Sequence, residues 1–168
     1  DTAIIALPYA VDGLHSFEFW SEDFFAVFPK NDVHAKLDTI NSDELATANL
    51  MLLGEGHCLT DQTLSVCHFD RTQMKSSFSD ASLNTLIQMA LANMGTTLVP
   101  EMALDQLNLQ DQNAVAVPLA EEGPHRHIAF VTRLNYARVD DVNLLGKLFK
   151  QAFEDAAQSG SKDANKYS

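Results

Sequence analysis

The chain has 168 residues, 46% of them hydrophobic, which is ample for a packed core and excludes disorder as a starting point. Its 11 Lys+Arg against 23 Asp+Glu leave a formal net charge of −12, a field that repels phosphate backbones and excludes a nucleic-acid grip by this piece itself. No run approaches the roughly 18 uncharged apolar residues of a membrane helix, so a soluble, cytoplasmic protein with no membrane contact is expected.

TAIIALPY (2–9) is β-branched and apolar enough for a buried parallel strand, and a start without Met directly in such a run is expected of a fragment of a longer protein. HSFEFW (15–20) alternates as a strand with one exposed face, and EDFFAVFPK (22–30) is a strand ended by proline. SDELAT (42–47) opens with a cap signal and is a short helix; NLMLL (49–53) follows as a buried strand. CLTDQTLSVCHF (58–69) contains no proline or glycine and reads as a helix, and SSFSDA (76–81) as an extended run. In SLNTLIQMALANMG (82–95) the residues Leu83, Leu86, Ile87, Ala90, Leu91 and Met94 recur at helical spacing, with Gly95 as the stop. TTLVP (96–100) is a short strand, PEMAL (100–104) a helical turn, and AVAVPLA (114–120) and HIAFVTR (127–133) are strands. DDVNLLGKLFKQAFEDAA (140–157) is a long amphipathic helix, and GSKDANKYS is a frayed tail.

Strands and helices alternate almost throughout, which predicts an α/β fold with mainly parallel sheets. The pattern breaks near 20–24 and again in EEGPHR (121–126). Two lobes are therefore expected, one from 1–21 with 126–168 and one from 22–125, the latter carrying the cysteines.

Cys58 and Cys67 are the two cysteines of the chain. That is too few for a secreted disulfide framework, and a reducing compartment keeps such thiols free. On one helix, nine positions amount to about 900° of rotation and roughly 13.5 Å of rise, so the two sulfurs face opposite sides. A disulfide requires Cα atoms within roughly 7 Å, so closing it must unwind the helix and remodel whatever packs on it. The ends are also unequal. Cys58 follows Gly54-Glu55-Gly56-His57 at the helix N-terminus, where free amide N–H groups favour a thiolate and His57 can add positive charge; Cys67, between Val66 and His68-Phe69, has no such activation and reads as packed. Cys58 is the candidate for first oxidation, to a sulfenic acid, and Cys67 for resolving it. The plainer alternative is that both thiols are inert core fillers, as free cysteines commonly are.

No metal or cofactor is expected. His57, Cys58, Cys67 and His68 have ligand chemistry but lack C-x-x-C or H-x-x-x-H spacing, and His125 with His127 on one strand face lacks a third ligand. There is no G-x-G-x-x-G, P-loop, G-x-S-x-G or C-x-x-C.

The runs LLGEGHCLTDQTLSVC and SLNTLIQMALANMGTTLVP resemble the regulatory domain of the OxyR family of peroxide-sensing LysR-type transcription regulators. The resemblance rests on Gly56-His57-Cys58-Leu59, Asp61-Gln62, Cys67, Ser82-Leu83, Thr85-Leu86, Gly95, Thr97-Leu98 and Pro100, and extends loosely over about residues 1–155. It implies a two-lobed periplasmic-binding-protein-like domain with the first part of lobe I missing. It further implies Cys58 as the peroxidatic residue, Cys67 as the resolving one, and His57 in the peroxide pocket. Arg126 is implied to stabilise the thiolate and the leaving hydroxide, Asp61 to orient pocket groups, and the helix at 82–94 to contribute to a dimer contact. Otherwise Arg126 reads as a surface charge or an ion pair between lobes, and Asp61 as a first-turn helix carboxylate. Thr60 stands where well-known members of the family have an arginine, two residues after the first cysteine.

The expectation is a sensor rather than a turnover enzyme. Its partners are hydrogen peroxide, a second copy of itself (a tetramer in the full-length protein) and a thiol reductant such as glutaredoxin, with DNA and RNA polymerase reached only through the full-length protein. The rivals are a LysR-type effector domain binding a small organic ligand between its lobes, with incidental thiols, and a thiol peroxidase that consumes peroxide continuously.

Overall fold

A computed structural model describes residues 2–8, 11–54, 56–70, 77–78, 81–107, 109 and 111–160. The tail at 161–168, Tyr9 of the first strand, and residues 76, 79 and 80 of the extended run lie outside the described residues. The chain divides into two compact units, Asp1–Ser21 with Arg126–Ser168, and Glu22–His125.

The first unit is a three-stranded sheet and one helix. Strand β1 (Thr2–Leu7), β2 (Leu14–Glu22) and β8 (Arg126–Arg133) are ordered β1-β8-β2. β1 runs antiparallel to β8, from Thr2 opposite Thr132 to Leu7 opposite His127. The expected buried parallel strand is thus an antiparallel edge strand with Ile4 53% exposed. A continuous apolar run states only that a strand is apolar on both faces; its direction comes from a partner over a hundred residues away. The period-two pattern of β2 places Phe19 in the core with Ile128, Phe130 and Val142, the last from helix α5 (Val139–Gly160). Phe19 lies 4.8 Å from Phe130 and Trp20 stacks 4.9 Å from Phe153, so aromatic pairs fasten α5 to the sheet.

The second unit is built around β3 (Phe24–Pro29), which lies between β6 (Thr97–Pro100) and β7 (Ala114–Pro118) and runs antiparallel to both. This corrects the expectation of mainly parallel sheets: the ladders described in both three-stranded sheets are antiparallel. The physical reason is local. β6 and β7, joined through helix α4 (Glu101–Leu107), do point the same way, but β3 is inserted between them in the opposite direction. Alternation of helix and strand predicts the direction of successive strands, not which strand becomes their hydrogen-bonded neighbour. Parallel pairing is confined to the flanks. Leu50 bridges Thr96, Ile40 bridges Leu119, and β4 (Leu52–Leu53) pairs with β5 (Ser77–Phe78).

Alternation along β3 separates two cores. Phe24, Ala26 and Phe28 face a cluster containing Leu45 of helix α1 (Ser42–Thr47) and Leu64 and Cys67 of the cysteine segment. Val27 faces the cluster of Ile87, on helix α3 (Leu83–Leu91), and Leu104 of α4. Phe24 and Phe28 are fully buried, each contributing roughly 1.5–3 kcal/mol. α1 is fixed by a capping box between Asn41 and Glu44, and α3 by Ser82 accepting from Thr85 N–H at 3.2 Å. α3 ends before the expected Gly95, because Asn93 takes the left-handed turn at φ 60. Gly95 has a different role: a Cβ there would overlap the Asn49 carbonyl, which accepts from Thr96 N–H at 3.2 Å and carries the parallel bridge. Among the described residues no helix is long and apolar enough to cross a membrane.

Candidate functional site: the cysteine helix and its supports

Helix α2 (Cys58–Val66) is shorter than the 58–69 expected. Cys67 is its C-cap, His68 adopts a left-handed φ of 54, and Phe69 N–H reaches back to the Leu64 carbonyl at 3.0 Å. That six-to-one closure, with Phe69 and Leu64 packed in one cluster, is a Schellman termination with histidine where glycine is usual. At the other end His57 is the N-cap in extended geometry, φ −88 and ψ 118, with no side-chain capping bond.

Both cysteines are free, Cys58 exposed and Cys67 buried at 3% exposure. An intact α2 separates them by about 13.5 Å of rise, well beyond disulfide reach. His57, Cys58 and Asp61 are exposed at the N-terminal end of the helix. An open concavity of about 540 Å³ lies along the same helix, lined by Asp61, Leu64, Ser65, His68, Phe69 and Asp70, at its C-terminal half rather than at Cys58.

The inner face of α2 is unusually polar. Thr60, Gln62 and Thr63 are 5%, 0% and 0% exposed. Thr60 Oγ1 donates to the Leu53 carbonyl at 2.9 Å and ties the helix to β4, so the position that departs from the OxyR pattern is a buried anchor. Thr63 Oγ1, fully buried, has no hydrogen-bond partner among the described residues. A buried hydroxyl left unpaired costs about 1–3 kcal/mol, so α2 is seated less tightly than its burial suggests.

Cys67 packs among Leu45, Leu64 and Leu119 of its cluster. Burial pushes its thiol up to about 11, the Ser42 side chain hydrogen-bonding the sulfur works the other way, and the charge of Glu121 raises it further. Glu121 Oε1 accepts from Ser42 N–H at 2.8 Å and from Ser42 Oγ, while Glu121 Oε2 is buried with no hydrogen-bond partner among the described residues. Sequence reasoning missed Ser42 and Glu121 as partners of Cys67. Ser42 is visible only as part of a cap signal and Glu121 only as a loop residue; their meeting is set by the bridge that lays Ile40 beside Leu119.

Arg126 opens β8 in the first unit, whereas His57, Cys58, Asp61 and Cys67 lie in the second. The two strand histidines do not form a pair. His125 Nδ1 accepts from Phe24 N–H at 2.9 Å and Nε2 donates to the Glu121 carbonyl at 3.0 Å. Asp23 Oδ1 approaches the same Nδ1 at 3.4 Å, but a nitrogen that accepts a backbone N–H carries no proton to share, so this is not an ion pair. Within the first unit, His127 Nδ1 lies 3.0 Å from Ser21 Oγ. Among the described residues no group of three or more His, Cys, Asp or Glu side chains could hold a metal ion.

The mixed α/β fold is that of a regulatory domain, and the family model for the LysR substrate binding domain matches residues 1–154. The chain belongs to that family, and as a domain of LysR-type transcription regulators it is not an enzyme. It is similar to the HTH-type transcriptional regulator EstR of Acinetobacter baylyi, 35% identical over 133 residues covering 79% of this chain and 44% of that protein. It is also similar to a probable hydrogen peroxide-inducible genes activator of Streptomyces viridosporus, 30% identical over 92% of this chain and 50% of the relative. Among solved structures, the reduced form of the OxyR2 regulatory domain from Vibrio vulnificus superimposes with a TM-score of 0.77 at 32% identity, covering 90% of this chain and 71% of that one. The chain spans about half the length of the curated relatives it matches.

Proposed function

We propose that this is the hydrogen-peroxide-sensing regulatory domain of an OxyR-type regulator, switched by a reversible Cys58–Cys67 disulfide. The carrying observation is the placement of the two free cysteines at opposite ends of α2, one exposed and one buried. The names of relatives at about 30% identity add support. Cys58 attacks peroxide, giving a sulfenic acid and water; the Cys67 sulfur then attacks that sulfur, an S–S bond forms, and hydroxide leaves as water with the Cys67 proton. Because the intact helix holds the sulfurs apart, the second step remodels α2 and its packing.

In this reading the two units are lobe II, residues 22–125 with the redox cysteines, and part of lobe I, in a periplasmic-binding-protein-like arrangement. His57 and Asp61 serve the peroxide pocket, Arg126 stabilises the thiolate and leaving hydroxide, and α3 contributes to a dimer contact that changes on oxidation. The full-length protein works in the cytoplasm as an oligomer on DNA with RNA polymerase, and a thiol reductant such as glutaredoxin resets it. Mass measurement before and after one equivalent of peroxide tests the reading. The wild type loses two hydrogens, Cys67→Ser keeps an added oxygen, and Cys58→Ser stays unmodified; a wild type that gains oxygen without losing hydrogens overturns it.

The match to the LysR substrate binding domain model favours a second reading, a LysR-type effector domain that binds a small organic ligand between its lobes, with incidental thiols. In that case peroxide leaves the fold unchanged and a metabolite raises the melting temperature.

A further inference from the structure

The geometry points to a second ligand site, confined to the second unit: a cavity of about 170 Å³ that takes a guanidinium group between the Asp32–His34 pair and the ends of α1 and α3. It shares no residue with the cysteine helix and stands or falls independently of the thiol switch.

Asp32 and His34 form one wall. Asp32 Oδ1 accepts from the His34 backbone N–H at 2.8 Å and from ring Nδ1 at 2.7 Å, and the ring stacks on buried Phe28 with centroids 5.2 Å apart. A carboxylate oxygen only accepts, so Nδ1 carries the proton and Nε2 of the neutral ring is left as an acceptor. Neither Nε2 nor Asp32 Oδ2 has a hydrogen-bond partner among the described residues.

The opposite wall is made where two helices end. α1 runs out at Asn49 and α3 at Asn93, each turned left-handed at φ 60, so the carbonyl-rich ends of both helices border one space. Neither helix has a basic residue in its last turn to balance those carbonyls. The donors on this wall are largely spent. Thr47 Oγ1 donates to the Glu44 carbonyl at 2.7 Å, and Asn49 Nδ2 to the Met94 carbonyl at 2.7 Å, which leaves the Asn49 amide oxygen as an acceptor. Asn93, whose amide can turn either end inward, is the exception.

The balance of groups selects the ligand. A carboxylate oxygen, an imidazole lone pair, an amide oxygen and helix-end carbonyls are acceptors with a negative balance, and none of the described lining residues is a lysine or arginine. Such a lining disfavours anions and suits a cation with several N–H donors. The volume lies well below the roughly 300–1,000 Å³ of a pocket for a drug-sized molecule, so the space fits one functional group. A guanidinium brings five N–H donors in one plane and stacks on flat rings such as His34. Met94, 55% exposed, gives the chain attached to that group an apolar neighbour.

The test is a titration of the 168-residue protein with methylguanidinium chloride at constant ionic strength, followed by amide NMR shifts. The signals of His34, Asn49 and Gly95 move along one saturating curve, and methylurea, the neutral analogue of the same shape, binds about tenfold more weakly or less. Asp32→Asn, which keeps an acceptor for the His34 N–H, weakens methylguanidinium binding about tenfold. Met94→Lys, at an exposed position, places an ammonium beside the cavity and weakens it by a similar factor, so the site remains testable if Asp32→Asn disturbs its turn. Free arginine and an acetyl-Gly-Arg-Gly-amide peptide separate the sources, since tighter binding of the first assigns the site to a metabolite and of the second to a partner's side chain. Shifts spread over the acidic surface instead of these three amides, equal binding of methylurea, or affinities unchanged in both variants overturn the proposal.

Discussion

Thr60 Oγ1 donates to the Leu53 carbonyl at 2.9 Å, so the third residue of the cysteine helix is bonded to the strand that precedes it. Thr60 is 5% exposed, and no water can replace a lost donor there. Thr60→Val keeps the shape and removes the bond, costing about 1–2 kcal/mol and lowering the melting temperature by about 2–4 °C per kcal/mol. Thr60→Arg, the residue of the OxyR pattern, must destabilise more, because a guanidinium cannot enter that space without displacing β4. A Thr60→Arg protein that melts with the wild type removes Thr60 as an anchor.

Thr63 gives the opposite sign. Its hydroxyl is fully buried with no partner among the described residues, so Thr63→Val exchanges an unpaired polar atom for a methyl of the same size. The expected result is a gain of about 1 kcal/mol, seen as a higher urea midpoint with unchanged slope. Under the thiol-switch reading the tighter helix also slows disulfide closure, which quenched mass samples can follow. A loss of stability would reveal a partner for the hydroxyl.

The contrast between these residues shows what the amino-acid order makes legible. Phe24, Ala26 and Phe28 against Val27 announce a two-faced strand, and both faces are filled. The α/β class follows from such local periods. Strand direction does not, because β3 enters between β6 and β7 through contacts some seventy to ninety residues away in sequence. The end of α2 escapes for a different reason: a left-handed His68 carries no glycine signal. The cysteines and their order along the helix are legible because spacing alone separates them. Ser42, Glu121 and buried Thr60 are not, since a polar residue advertises its burial only through a partner that folding brings to it.

Gly95 is a place where a single methyl decides the fold. At φ 153 its α-hydrogen faces the Asn49 carbonyl, and a Cβ would overlap that oxygen and crowd Met51. Gly95→Ala therefore breaks the parallel bridge between Leu50 and Thr96 or bends β6 away from β3. The expected loss is about 2–4 kcal/mol, larger than a helix-interior Gly→Ala exchange of either sign. Equilibrium denaturation measures it, and hydrogen exchange at Met51 and Thr96 N–H, bonded at 2.8 and 3.2 Å, localises it. Wild-type stability in Gly95→Ala contradicts the close approach.

Cys67 makes stability depend on alkaline pH, with a sign fixed by its burial. Its thiol is pushed up to about 11, chiefly by desolvation, above the roughly 8.5 of an unfolded chain. Between those values the folded state keeps a proton that the unfolded state gives up. The contribution is therefore fully present below about pH 8.5 and is lost as pH rises through about 11, up to roughly 3 kcal/mol in all. Other groups titrate in the same window, so the informative quantity is the difference between wild type and Cys67→Ala. Guanidinium unfolding at pH 8, 9, 10 and 11 should show the two curves converging as pH rises, since the variant has no thiol to ionise. Parallel curves across that window mean that the Cys67 sulfur is solvated rather than seated against Ser42.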